Sequence, residues 1–181
     1  PVFERMYQKR LRTYKRIGYE ICSQLDGTMT EICDSDNYDE KNNSIFDSET
    51  YHETYEKDVI SAKKEIIISS PGLSGKKVNQ FTTMLKKIME NGVRVVVMTK
   101  NSDEYPLDAV QRARENINLL RNAGIIVRCP KECHEHFAVI DSEICWYGSM
   151  NLISNEKDDD SLMRIRSREI AEELKEVCYK R

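Results

Sequence analysis

Three short β-branched runs, EIIIS at 65–69, VRVVVMT at 93–99 and IIVRC at 125–129, are separated by longer segments whose apolar residues recur at helical spacing. Such runs suit strands buried on both faces, and the stripes between them suit helices that cover those strands. The first stripe is Tyr51, Tyr55, Val59 and Ala62, with Asp47 or Ser48 as candidate N-cap. The second is Val78, Phe81, Met84, Leu85, Ile88 and Met89, opened by Ser74 or Gly75 and closed by Gly92. The third runs from about Leu107 to Asn122 and stops at Gly124. Glycine suits the position after a helix because it enters the left-handed region without steric cost. Strand, helix, strand, helix, strand implies right-handed crossovers and parallel pairing.

After residue 129 the rhythm changes. HFAVID, EICWYG and SLMRIR are three short strand-type segments, and a helix follows from Ser167 to Tyr179. Asp141-Ser142 reads as a tight hairpin turn. The expected fold is α/β, a mixed and mainly parallel sheet with helices on both faces, with polar side chains gathered at the strand ends around residues 134 to 151. Residues 45–181 make up this domain. Ahead of it, Met6, Leu11, Tyr14, Ile17 and Ile21 recur between basic residues, which predicts an N-terminal amphipathic helix over about 2–21. Residues 23–44 are rich in Asp, Asn, Ser and Thr, side chains that favour turns, and are expected to form an acidic, polar linker. Pro1 fits either a removed Met or a piece cut from a longer chain, and the second is the reading taken here.

The formal net charge of −3 provides no global attraction for polyanions, so any such contact must come from local patches such as Arg5 to Arg16. No apolar run approaches the roughly 20 residues needed to cross a bilayer. Six cysteines scattered through 181 residues lack the density of a secreted disulfide scaffold, so reduced thiols and a cytoplasmic location are expected.

His134, His136, Asp141, Gly148, Ser149 and Asn151 form the pattern HxHx4Dx6GSxN. The strand period of two puts His134 and His136 on one face, and Ser149 and Asn151 share parity after Gly148. This pattern resembles the phospholipase D superfamily signature HxKx4Dx6GSxN, with His136 where the family has lysine. The resemblance extends from about residue 46 to the end and implies that family's half-domain fold. It also implies a mechanism without metal or other cofactor. His134 would attack phosphorus to give a phosphohistidine, and a second motif histidine would protonate the leaving oxygen. The imidazole must be neutral to attack, which a reference pKa of about 6.5 allows near neutral pH. Ser149 and Asn151 would donate to phosphate oxygens, and Gly148 would let the backbone approach closely. The family's orienting acid follows GSxN, which makes Asp160 the best match, with Asp158 and Asp159 open as neighbours. Asp141 falls at the hairpin turn, where a structural role is expected.

The family's lysine is a fixed cation, and losing one such donor typically costs about 3 kcal/mol. His136 can replace it only when protonated, which implies better activity at mildly acidic pH. Arg164 is the alternative phosphate-holding cation. One copy of the signature cannot supply both nucleophile and acid, so a homodimer with a composite site is expected. Among family branches the chain looks most like domains appended to bacterial helicases and like small nucleases, so nucleic acid, DNA or RNA, is the expected partner and no membrane is. The alternatives are a degenerate module that grips a nucleic-acid backbone without cutting it, and a phospholipase. Cys129, Cys133, His134 and His136 also invite a zinc reading, but they lack a CxxC knuckle and Pro130 interrupts them, so no metal is expected.

Overall fold

Central strands that are apolar on both faces require cover on both sides, and the sheet of this protein is built that way. The computed structural model describes residues 44–131, 133–155 and 160–180, with side chains through Glu176, all within the compact unit Tyr38–Arg181. The predicted helix over 2–21, the linker over 23–43, and Asp158 and Asp159 lie outside the described residues.

Seven strands are present among the described residues: β1 (Ser44–Asp47), β2 (Glu65–Ser69), β3 (Arg94–Met98), β4 (Ile126–Arg128), β5 (His136–Ile140), β6 (Ile144–Gly148) and β7 (Ser161–Arg166). The four α-helices are α1 (Tyr51–Ile60), α2 (Gly75–Glu90), α3 (Val110–Asn122) and α4 (Arg168–Lys180). One sheet runs in the order β1-β7-β6-β5-β2-β3-β4. The mixed α/β architecture is therefore as expected, but the pairing balance is not. Only β2 with β3 and β3 with β4 are parallel, and the other four pairings are antiparallel. The cause is connection length: helical crossovers serve β2 to β4, whereas β5 to β7 are joined by turns and loops that can only reverse direction.

The two sheet faces carry separate cores. Ile66, Ile68, Val95, Val97, Ala138, Ile140 and Trp146 pack against α1, α2 and α3. Ile67, Val96, Met98, Phe137, Val139 and Cys145 face α4. Gly92 and Gly124 follow α2 and α3 with φ of +86° and +87°, the backbone setting their sequence position required. Ser74 caps α2, its hydroxyl accepting from Lys77 N–H. Asp47 does not cap α1 directly. It ends β1, and its carboxylate accepts from the backbone N–H of Glu49 and Thr50 in the turn before the helix. β1 itself, including Ser44, was not anticipated because its four residues carry no distinctive apolar period.

Asp141 and Ser142 both adopt positive φ, 54° and 55°, as the predicted tight turn requires. The Asp141 carboxylate does more than serve its own turn. Oδ1 accepts from Lys64 and Glu65 N–H at 2.8 and 3.0 Å, and Oδ2 accepts from Lys63 N–H at 2.8 Å. It thereby fastens the start of β2 to the β5–β6 turn, at the sheet end opposite the motif histidines. Burial pushes its acidity the other way, but the three backbone donors outweigh that and hold the carboxyl below its usual range.

Candidate active site

The antiparallel register assembles the motif. His136 pairs with Gly148, and Gly148 pairs with Leu162, so the start of β5, the end of β6 and the start of β7 meet at one sheet end. The end of β2 joins them, because Ser69 pairs with Phe137 and its hydroxyl donates to the Glu135 carbonyl at 2.6 Å. Ligand sites in open α/β sheets form at this carboxyl end of the parallel strands.

Gly148 is required here by packing. A Cβ on it would collide with the Ser161 carbonyl and crowd the Leu162 backbone, so β7 can approach only a glycine. The next residue uses that proximity three times. Ser149 N–H donates to the Ser161 carbonyl at 3.0 Å, the Ser149 hydroxyl accepts from Ser161 N–H at 3.1 Å, and it donates to Asp160 Oδ1 at 3.0 Å. A serine hydroxyl has one proton to donate. In this arrangement that proton belongs to Asp160, so donation to a phosphate requires it to swing away from the carboxylate.

Asn151 is held from the opposite side. Its Oδ1 accepts from Gly72 N–H at 2.8 Å, which fixes the amide orientation and leaves Nδ2 as the group that can donate to a bound anion. The loop after β2 interlocks with the same segment: Ser70 Oγ accepts from Ile153 N–H and donates to the Gly72 carbonyl, and Ser74 N–H donates to the Ile153 carbonyl. Ser70 and Gly72 were missed as site-supporting residues. The only signal was the SSPG turn composition at 69–72, which marks a loop without revealing what it grips.

His134 precedes β5 and is exposed, and its imidazole makes no hydrogen bond among the described residues. Asp160 thus meets Ser149. His136 is half-buried on the α1/α2 side of the sheet, and its Nδ1 is buried without a hydrogen-bond partner. A nitrogen in that setting is poised for a ligand or leaves a polar atom unsatisfied at a cost.

Arg164 lies one step further into the sheet. It shares the sheet face of Gly148 and Leu162, and Trp146 is its cross-strand partner. Its Nε and Nη2 bond the two oxygens of Asp58 at 2.6 and 2.9 Å, and Trp146 Nε1 adds a third donor at 2.9 Å. Both charged side chains are about 90% buried. The hydrogen bond to Asp58 raises the guanidinium's pKa further, ahead of the opposing effect of burial. The Arg164 guanidinium is therefore bonded to a buried carboxylate in this structure. Parity predicts a face, but not which helix residue will claim the charge.

Among the described residues no three His, Cys, Asp or Glu side chains converge as a metal site. Cys133 packs with the α4-side core beside Ser69, and burial pushes its thiol pKa up. No helix among the described residues is long and apolar enough to cross a membrane.

Residues 55–180 match the family model described as cardiolipin synthase, PLD-like domain. The chain belongs to the phospholipase D-like family. No curated protein matches it. Similar solved structures of this family's fold include the phospholipase D family member Nuc from Salmonella typhimurium (16% identity, TM-score 0.61), covering 77% of this chain and 93% of that one. NucT from Helicobacter pylori (15% identity, TM-score 0.54) covers 77% and 94%. TrmBL2, an archaeal chromatin protein with a novel mode of DNA binding, aligns over 99% of this chain and 60% of its own at 11% identity and TM-score 0.53. These likenesses show that the PLD-like fold is shared.

Proposed function

We propose that this domain is a metal-independent phosphodiesterase acting on nucleic acid, with His134 as nucleophile and a second copy of the chain supplying the general acid. In this reading the His134 imidazole attacks phosphorus. The leaving oxygen departs with a proton from the second copy's histidine, and water then cleaves the phosphohistidine. Asn151 Nδ2 and a reoriented Ser149 hydroxyl hold the phosphate oxygens, and Asp160 orients an imidazole once the partner copy closes the site. His136, with its unpartnered buried Nδ1, takes the place of the missing cation. Membership of such a domain in a helicase or a restriction-type defence protein is part of the same proposal.

The observation that best supports this reading is the register His136–Gly148–Leu162, which brings the histidine and GSxN parts of the motif to one sheet end while leaving His134 exposed. The nucleic-acid assignment draws on the neighbours: beside the phospholipase D family member Nuc and NucT stands an archaeal chromatin protein described by its mode of DNA binding. A second reading, a module that binds a backbone without cutting it, is favoured by two features. The Ser149 proton is occupied by Asp160 and the usual lysine is absent, so both phosphate-stabilising donors differ from the family pattern.

The test is incubation with labelled single- and double-stranded DNA and RNA in EDTA across pH 5 to 8, beside His134→Ala. EDTA-resistant cleavage abolished by the substitution supports the enzyme. Binding without cleavage supports the second reading, and neither binding nor cleavage overturns the nucleic-acid assignment. A strictly monomeric species that still turns over substrate would rule out the composite site.

A further inference from the structure

The peptide that orients Asn151 is itself held from a loop on another strand. Continued past its last pair, the β2–β5 register would set Pro71 opposite Glu135. Proline has no N–H to donate, so the regular ladder cannot run on there. The Glu135 carbonyl takes a donor from the Ser69 hydroxyl at 2.6 Å, while Ser70 N–H stays with β3 by donating to the Met98 carbonyl at 2.9 Å. Two hydroxyls reach the Pro71 carbonyl: Tyr105 Oη donates at 2.9 Å and Thr99 Oγ1 at 3.4 Å. Tyr105 makes the stronger bond, because 3.4 Å lies beyond the usual range for a hydroxyl donor.

Tyr105 is placed by its own loop, which follows β3. A single 3-10 turn, Ser102–Glu104, comes immediately before it and opens with a capping box, in which Asn101 N–H donates to Glu104 Oε1 at 2.9 Å. Tyr105 N–H then donates to the Ser102 carbonyl at 3.2 Å. The ring is half-buried, and burial raises the phenol's pKa, so the hydroxyl keeps the proton it donates.

The Pro71 carbonyl and the Gly72 N–H belong to one peptide unit. That unit is trans and planar, so its C=O and N–H point in opposite directions. Tyr105 bonds one end, and Asn151 Oδ1 accepts from the other at 2.8 Å. Turning the plane to loosen one bond therefore turns the other, and two bonds in line through one amide polarise and strengthen each other. The last torsion of an Asn side chain is broad, and a flipped amide would aim Oδ1 instead of Nδ2 at an anion. The Gly72 N–H selects between those orientations.

We propose that Tyr105 is a positioning residue for the phosphodiester site, which acts through the Pro71–Gly72 peptide to keep the Asn151 amide turned with Nδ2 toward the phosphate. The relay joins the loops after β3, β2 and β6, so a residue 46 positions before Asn151 in sequence tunes its donor through a shared peptide. The inference rests on the reading of Asn151 as a phosphate-holding residue and adds what sets its orientation.

The experiment measures the Kd of inorganic phosphate in EDTA, by NMR titration, and the Tm of four full-chain proteins: the unsubstituted chain, Tyr105→Phe, Asn151→Ala and the double variant. Tyr105→Phe deletes one oxygen from a half-buried ring and is expected to weaken phosphate about threefold to tenfold, the range of one neutral hydrogen bond. The double variant should bind no more weakly than Asn151→Ala alone, because the hydroxyl acts only through that amide. A hydroxyl that merely supports the loop would lower the Tm and leave the Kd where it was. If Tyr105→Phe binds phosphate as the unsubstituted chain does, or repeats its full effect on top of Asn151→Ala, the positioning role is overturned. The phosphate reading survives that result as long as Asn151→Ala weakens binding. If Asn151→Ala leaves the Kd unchanged, or none of the four binds phosphate, both fall together.

Discussion

The Ser149 hydroxyl donates to Asp160 Oδ1 at 3.0 Å while it accepts from Ser161 N–H. This bond ties the GSxN segment to Asp160, and a substitution there tests the role of the carboxylate. Asp160→Asn retains an oxygen for Ser149 but removes the charge that would orient and stabilise a neighbouring imidazolium. Turnover of a chromogenic phosphodiester is expected to fall by roughly a hundredfold to ten-thousandfold, the range that loss of an orienting carboxylate spans, with little change in Tm. An unchanged kcat would remove Asp160 from the mechanism.

Arg164 and Asp58 predict a stability effect. Arg164→Ala leaves a buried carboxylate with Trp146 as its main remaining donor, and breaking a buried pair from one side costs about 3–5 kcal/mol. Urea unfolding should show that loss directly. Replacing both partners with apolar residues, Asp58→Leu with Arg164→Met, should restore most of it. If Arg164 holds phosphate instead, the single substitution weakens substrate binding and spares the midpoint.

Asp141 predicts a pH dependence. Its carboxyl is held below the usual range in the folded state, so it contributes stability that is present above the unfolded pKa of about 3.9 and is lost as pH falls through the lower folded value. Asp141→Asn tolerates the positive φ but weakens the acceptors. Comparing the two proteins, the stability gap should be full at neutral pH and close in acid. A gap that stays constant down to pH 2 would mean the charge is irrelevant to this clasp.

Gly148→Ala tests the close approach of β6 and β7. The added Cβ must displace the Ser161 carbonyl, which is backbone in a paired strand, so relief means shifting β7. A loss of about 1–3 kcal/mol is expected, the range for overpacking, together with loss of activity through Ser149 and Asp160. Gly92→Ala, in open space but at positive φ, is the control for backbone strain alone. Equal effects at both positions would argue against the steric explanation.

The sequence by itself determined the order of elements from α1 onward, the glycines that end α2 and α3, the β5–β6 turn and the motif. Each of these is local, set by hydrophobic period or by a backbone angle that few residues tolerate. Tertiary structure alone decided who holds whom. The short edge strand β1 exists because β7 offers it unpaired backbone groups, not because SIFD is distinctive. Arg164 went to Asp58, a helix residue 106 positions away, because burial leaves a guanidinium no option but the nearest carboxylate. Asp141 reached across to the start of β2, and Gly72 to Asn151. Polar side chains are bonded by whatever packing brings within 3 Å, and one sequence carries no record of that distance.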